Sequence, residues 1–336
     1  MPGLWEKTSN AKDSTDLKRV ELSELAINEP TVIIMSGWPA NDGAPDALSK
    51  EIHFMRNVLA RRPEIKSMPK VYCWSHKSGL SAIFNVIPYN LRPNSHYSRT
   101  SRNLAQALIM PLVSENNQPL PTEEAQRRLR NLTLYNVCAG SIVGQEVYNA
   151  SLKMMKEIGY TPEAAKELLH EVADIAVAPM TAPWKEKNRF ATLTLINSDD
   201  MVVRFKDRFL HPLHRIFFRA SRRLRINPLS NYSVLVTSAA RREMLDWRRK
   251  KEIIEGVRLS RWRLLLEKKG GFPINFNHEI PDYLNYDDKR SQVSRIVPYA
   301  LANAINRTSA NPMQFLEPPQ DAPDFYRRKI SNALVI

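Results

Sequence analysis

The stretch that decides the fold is LTLYNVCAGSIVGQEVYNASLKMM, residues 132–155. Leu132 to Val137 are rich in residues that suit a pleated, buried surface and read as a β-strand. Cys138-Ala139-Gly140-Ser141 is a turn of small residues, and a helix follows from near Ile142, with Gly159 as its C′ residue. A sharp strand-to-helix turn lifts one side chain above the sheet edge and aims the first free helix N–H groups at whatever that side chain holds. The same geometry serves a nucleophile flanked by backbone donors for an oxyanion. Ser141 is the candidate for that role; as a serine at a helix start it equally reads as an N-cap. Cys138, with Gly140 two residues on, competes as nucleophile, against the plainer reading of a small buried filler at a strand end.

Outward from this unit, β-branched runs alternate with helical patterns. TVIIMSG (31–37), KVYCWSH (70–76), FATLTLINSDD (190–200) and NYSVLVTS (231–238) read as further strands. A helix is expected over Asp46–Arg62, where Leu48, Ile52, Met55 and Leu59 share one face. Others are expected over 99–113, over 122–130 behind a Thr122 cap, and from Thr161 to about Val177. Basic helices follow at about 205–224 and 239–269, and a last one at 291–305. Strands joined by helices imply right-handed crossovers and a mostly parallel sheet flanked by helices, a three-layer α/β fold. Functional residues then belong in loops at the carboxyl ends of the strands. The 138–141 turn, the polar loop at 197–200 and the loop after residue 35 share that edge.

The chain has 336 residues, of which 43% are hydrophobic and 25% charged, as in a globular protein. Residues 1–29 are polar and are expected to form a flexible arm, residues 30–306 the α/β domain, and residues 307–336 a Pro-rich tail. The first residues lack the apolar segment of a secretory signal, and no run approaches the roughly 18 apolar residues of a membrane span. Two cysteines, Cys73 and Cys138, form no disulfide framework and suit a reducing compartment. A cytoplasmic protein, peripheral to a membrane at most, is the expectation. No metal is expected: His211 and His214 have no third ligand nearby in sequence. No cofactor is expected either, since neither G-x-x-x-x-G-K-[ST] nor G-x-G-x-x-G occurs.

Net charge is +14, and it is concentrated. From Arg204 to Lys269 there are 19 Lys/Arg against 6 Asp/Glu, while the other 270 residues carry 30 against 29. One basic segment on a nearly neutral chain points to an anionic partner. Arg241, Arg242, Arg248, Arg249, Lys250, Lys251, Arg258 and Arg261 are the candidate anion contacts. With Trp247, Trp262 and an apolar stripe among them, they suit an anionic membrane surface. A nucleic-acid backbone is the less favoured partner, because base-stacking aromatics are sparse. A solvated helix whose apolar stripe covers the site is the plain alternative.

Three segments, in order, resemble the α/β-hydrolase superfamily. VIIMSGWPAND (32–42) is similar to that family's strand and oxyanion loop, VCAGSIVGQEV (137–147) to its nucleophile elbow, and ATLTLINSDDMVV (191–203) to its late strand and acid loop. The resemblance implies a catalytic set of Ser141 as nucleophile, Asp200 as acid and His278 as base, in the order nucleophile–acid–base. It implies N–H donors from Gly37, Trp38 and Ile142 for the oxyanion, and makes residues 239–269 a basic helical insertion before the histidine. Cys138, Asp199 and His76 are the alternatives for the three roles. The implied activity is acyl transfer from an ester, a thioester or a lipid acyl group, on a small-molecule or lipid substrate. The second residue after the nucleophile is small in such elbows; here Val143 follows Ser141 at that distance. The alternative implied is a catalytically degenerate α/β binding protein that uses its basic surface.

Overall fold

The computed structural model describes residues 3–8, 16–37, 45–75, 89, 92–177, 179–180, 189–197, 232–237, 293–308 and 314–315. In chain order the elements are β1 (Gly3–Lys7), β2 (Leu17–Val20), a 3-10 turn (Leu22–Glu24), β3 (Thr31–Met35), α1 (Pro45–Ala60), β4 (Lys70–Ser75), α2 (Arg99–Leu108) and α3 (Met110–Val113). There follow the short β5 (Ser114–Glu115) and β6 (Gln118–Pro119), α4 (Thr122–Leu129), β7 (Leu132–Val137), α5 (Gly140–Glu157), α6 (Pro162–Leu169), β8 (Ala173–Val177), β9 (Ala191–Asn197), β10 (Tyr232–Thr237) and α7 (Val293–Ile305).

Eight strands form one sheet in the order β10-β9-β8-β7-β3-β4-β1-β2. The six from β10 to β4 are parallel neighbours, and β1 runs antiparallel to both β4 and β2. Every residue of β3, β7 and β8 is buried, as parallel strands covered on both faces require. One face packs Ile34, Tyr135 and Leu193 against Ile52 and Met55 of α1 and Leu301 of α7. The other packs Ile33 and Leu134 against Leu104 of α2, Leu129 of α4, Val147 of α5 and Leu168 of α6. Each such side chain, fully buried, contributes about 1.5–3 kcal/mol. The result is a mostly parallel, three-layer α/β arrangement.

The chain moves from β3 through α1 to β4 on one side, then from β7 through β8 and β9 to β10 on the other. Its direction across the sheet therefore reverses between β3 and β7. The carboxyl ends of these two strands border the crevice where open α/β sheets take their ligands.

Four expectations are corrected. Residues 1–29 are not wholly an arm: Gly3–Lys7 and Leu17–Val20 are sheet strands, and the Trp5 indole N–H donates to Ser75 Oγ at 2.9 Å. Residues 173–177 are a strand, not the end of the helix begun at Thr161, which stops at Leu169. The segment is buried on both sides and so carries no alternation to tell strand from helix. The 99–113 helix breaks at Ile109, with Pro111 opening its second piece. Finally, the expected tail begins inside the core. Phe315 is 0% exposed, and the buried Arg307 donates from Nη2 to Leu132 O at 2.8 Å and to Glu171 O at 2.7 Å. Burial pulls the Arg307 guanidinium down to about 9, so it remains charged at neutral pH, tying α7 to the start of β7.

Candidate functional site

At the carboxyl end of β7 the chain turns through Cys138, whose φ is +50°. Among the described residues the other non-glycine positive φ values are at Asn116 and Asn117, in the β5–β6 turn, where asparagine suits them. Cysteine has no such preference, and a left-handed backbone costs it about 1–2 kcal/mol. Backbone strain of this kind collects at functional sites. The surroundings hold the turn in place. Cys138 N–H donates to Val177 O at 3.1 Å, and its carbonyl accepts from Ser141 N–H at 3.2 Å and Met180 N–H at 3.1 Å. The β7–α5 turn is thus tied to the end of β8 and to the segment beyond it.

Helix α5 begins at Gly140, two residues before the expected start. Ala139 is its N-cap residue and makes no side-chain cap bond, so Ser141 is not the cap. The Ser141 hydroxyl donates to Cys138 O at 2.6 Å and accepts from Met180 N–H at 3.0 Å; the residue is 1% exposed. Ile142, expected as an oxyanion donor, gives its N–H to Ala139 O at 3.0 Å because it already lies within the first helical turn. A Cβ at Gly140 would overlap the Met35 carbonyl oxygen at the end of β3, so α5 can start this close to the sheet only with glycine there. The residue two after the turning point must therefore be small. Counted from Cys138, it is Gly140. Val143 is free of that constraint and packs, half-buried, on the second core cluster.

Gly37, at the end of β3, faces this turn across the crevice. A Cβ built on it would fall 3.1 Å from Cys138 Cβ, so the two backbones approach closely enough to favour glycine. Of the expected site residues the structure brings together Gly37, Cys138, Ser141 and Ile142. Trp38, His76, Asp199, Asp200, His278 and the basic residues from Arg241 to Arg261 lie outside the described residues.

Buried polar groups surround the turn. On the α1 side, Glu51 accepts from Ser36 Oγ at 2.8 Å and from the Cys73 thiol at 3.2 Å. Burial raises its carboxyl to about 7, against those two hydrogen bonds. On the α5 side, Asp174 accepts from Asn136 Nδ2 at 2.6 Å and Thr192 Oγ1 at 2.9 Å, and burial raises it to about 6. A Cβ at Gly144 would overlap the Asn136 amide, so this network sits directly under the first turns of α5. Further along α5, Glu146 accepts from Ser98 Oγ at 2.8 Å and from Ser101 Oγ at 2.5 Å. Asn149 Nδ2 donates to the Pro93 and His96 carbonyls at 3.0 and 2.9 Å, pinning the approach to α2.

Sequence reasoning missed Glu51, Asn136 and Asp174. Glu51 carried a signal: with Leu48, Ile52 and Met55 it sits at helical spacing on the apolar face of α1, where an acid must be buried. Among the described residues no group of three or more His, Cys, Asp and Glu is arranged to hold a metal ion, and no helix is long and apolar enough to cross a membrane. A scan against protein-family models found no match to this chain, and a search of curated proteins found none either.

Proposed function

We propose that this protein catalyses acyl transfer from an ester, thioester or lipid acyl group, with Cys138 as the nucleophile at the β7–α5 turn. The single observation that carries the reading is the left-handed Cys138 backbone at the sheet's point of reversal. Three neighbours support it: Gly140 accommodating the close helix start, Gly37 closing the opposite wall, and Ser141 occupied with holding the turn.

The Cys138 sulfur attacks the acyl carbon, and its proton passes to a base. The carbonyl oxygen gains the electron pair and is stabilised by the Ala139 N–H, which follows the nucleophile, and by an N–H of the segment after β3. As the oxyanion collapses, the carbon–leaving-group bond breaks and the base returns the proton to the departing alcohol or thiol. Water, or an acceptor hydroxyl or amine, then attacks the Cys138 thioester and regenerates the thiol. His278 is the base and Asp200 its orienting acid by their order in the chain. The basic segment around Arg248–Arg261 would steer an anionic acyl substrate or rest on an anionic membrane.

The test is hydrolysis of a p-nitrophenyl ester series of increasing chain length by the full chain and by Cys138→Ala. Turnover that disappears in Cys138→Ala supports the reading. Turnover unchanged in Cys138→Ala, or absent from the unmodified chain, contradicts it.

A further inference from the structure

Behind the Gly37–Cys138 contact lies a carboxyl group that the acyl-transfer chemistry itself does not use. Glu51 on α1 is 6% exposed, yet both of its oxygens are engaged: Oε1 by the Ser36 hydroxyl at 2.8 Å and Oε2 by the Cys73 thiol at 3.2 Å. Ser36 is 0% exposed and immediately precedes Gly37; its own N–H reaches the Trp74 carbonyl at 3.4 Å. A continuous chain of contacts thus runs from Glu51 through Ser36 to the Gly37 backbone, and from there to Cys138.

We infer that Glu51 is a positioning residue: through Ser36 its carboxylate holds the Gly37 backbone against Cys138, and protonation of Glu51 loosens that hold. The inference rests on the acyl-transfer reading of Cys138. As a carboxylate, Glu51 offers acceptors to both donors; once protonated, one oxygen becomes a donor and competes with the Ser36 and Cys73 hydrogens. Desolvation raises the carboxyl to about 7, so the exchange falls in the neutral range. Titratable or charged described groups on this side of the sheet include Cys73 on β4, Tyr135 on β7, Cys138 at the turn, Tyr299 on α7 with the Arg62 guanidinium over its ring and Glu64 beside Arg62, and Lys7, which shares a face of β1 with Trp5. Burial pushes Cys73 and Tyr135 well up, with the Glu51 charge adding to it, so both keep their protons through this range.

The experiment follows acetylation of Cys138 by p-nitrophenyl acetate in the full chain, read by mass spectrometry between about pH 5 and pH 9. The unmodified chain should show a step near 7 in its acetylation rate. Glu51→Gln, which keeps the shape but, like the protonated acid, replaces one acceptor by a donor that competes with the Ser36 and Cys73 hydrogens, should lose that step and react about tenfold more slowly on the alkaline side. Ser36→Ala should lose the step too, because Glu51 then titrates without touching the Gly37 segment; it serves as well should Glu51→Gln fold poorly. If Cys138 is acetylated and both variants match the unmodified chain in rate and pH profile, Glu51 is only structural and the inference is overturned. If Cys138 of the unmodified chain is acetylated at no pH, the acyl-transfer reading fails, and the inference with it.

Discussion

A Cβ at Gly37 would lie 3.1 Å from Cys138 Cβ, so two residues about 100 positions apart in sequence are in contact where β3 and β7 end. That contact joins the two halves of the sheet at its point of reversal. In Gly37→Ala one of the two backbones must give by a few tenths of an ångström. Cys138 acetylation should slow by about tenfold or more, because small displacements from attack geometry are costly, while the urea midpoint moves little. Rate assays paired with urea titrations check this; an unchanged rate would separate Gly37 from the reacting centre.

The positive φ at Cys138 predicts an inverted order of stability among its replacements. Alanine ordinarily stabilises relative to glycine, but alanine at φ +50° keeps the strain that glycine relieves. Cys138→Gly should therefore be about 1 kcal/mol more stable than Cys138→Ala. Chemical denaturation of the two variants decides it, and the ordinary order would show that the turn is not held in this conformation.

Ser141→Ala removes a hydroxyl bonded to Cys138 O and to Met180 N–H. It should cost about 0.5–1.5 kcal/mol, the worth of a lost hydrogen bond, because Met180 N–H keeps its bond to Cys138 O. Cys138 should still be acylated, though more slowly. Complete loss of covalent labelling with stability intact would return the nucleophile's role to Ser141.

Glu51 and Asp174 give stability a defined pH dependence. Each has a folded-state value raised by burial, from 4.5 to about 7 and from 3.8 to about 6. The unfolded chain therefore loses these protons first, and stability falls as pH rises through each window. For Glu51 the loss is complete above about 7 and amounts to about 3 kcal/mol. Glu51→Gln should accordingly gain stability over the unmodified chain as pH climbs from 4.5 to 7 and hold that gain above it. Thermal melts across pH would show it; a constant difference would mean that Glu51 titrates normally.

Much of the scaffold is legible in the chain because parallel strands leave strong traces. TVIIM, LTLYNV and the β-branched run at 191–197 are recognisable without any partner, and the helices between them impose the parallel order. β8 is not recognisable, since ADIAV is buried on both faces and shows no period. β1 and β2 are short and half polar, so they resemble a solvated arm until the sheet edge is present to pair them. The turn after β7 is legible in the chain, but its left-handed residue is not. Composition marks CAGS as a tight turn; it does not say which of the four takes the left-handed conformation, because neither cysteine nor serine favours it. Glu51 is hard to recognise in the chain because its partners come from distant segments, Ser36 from just after β3 and Cys73 from within β4.

An acid-quenched acylation with peptide mapping shows whether acyl groups pass through the Cys138 sulfur. The chain is mixed with p-nitrophenyl acetate, chosen small because Cys138 is only 3% exposed, and the acetylated peptide is fragmented. Acyl transfer through this thiol gives a hydroxylamine-labile acetyl group on Cys138 that forms and decays at the rate of turnover. An acetyl group on Ser141, or none on the 132–155 segment while ester is being consumed, would contradict it.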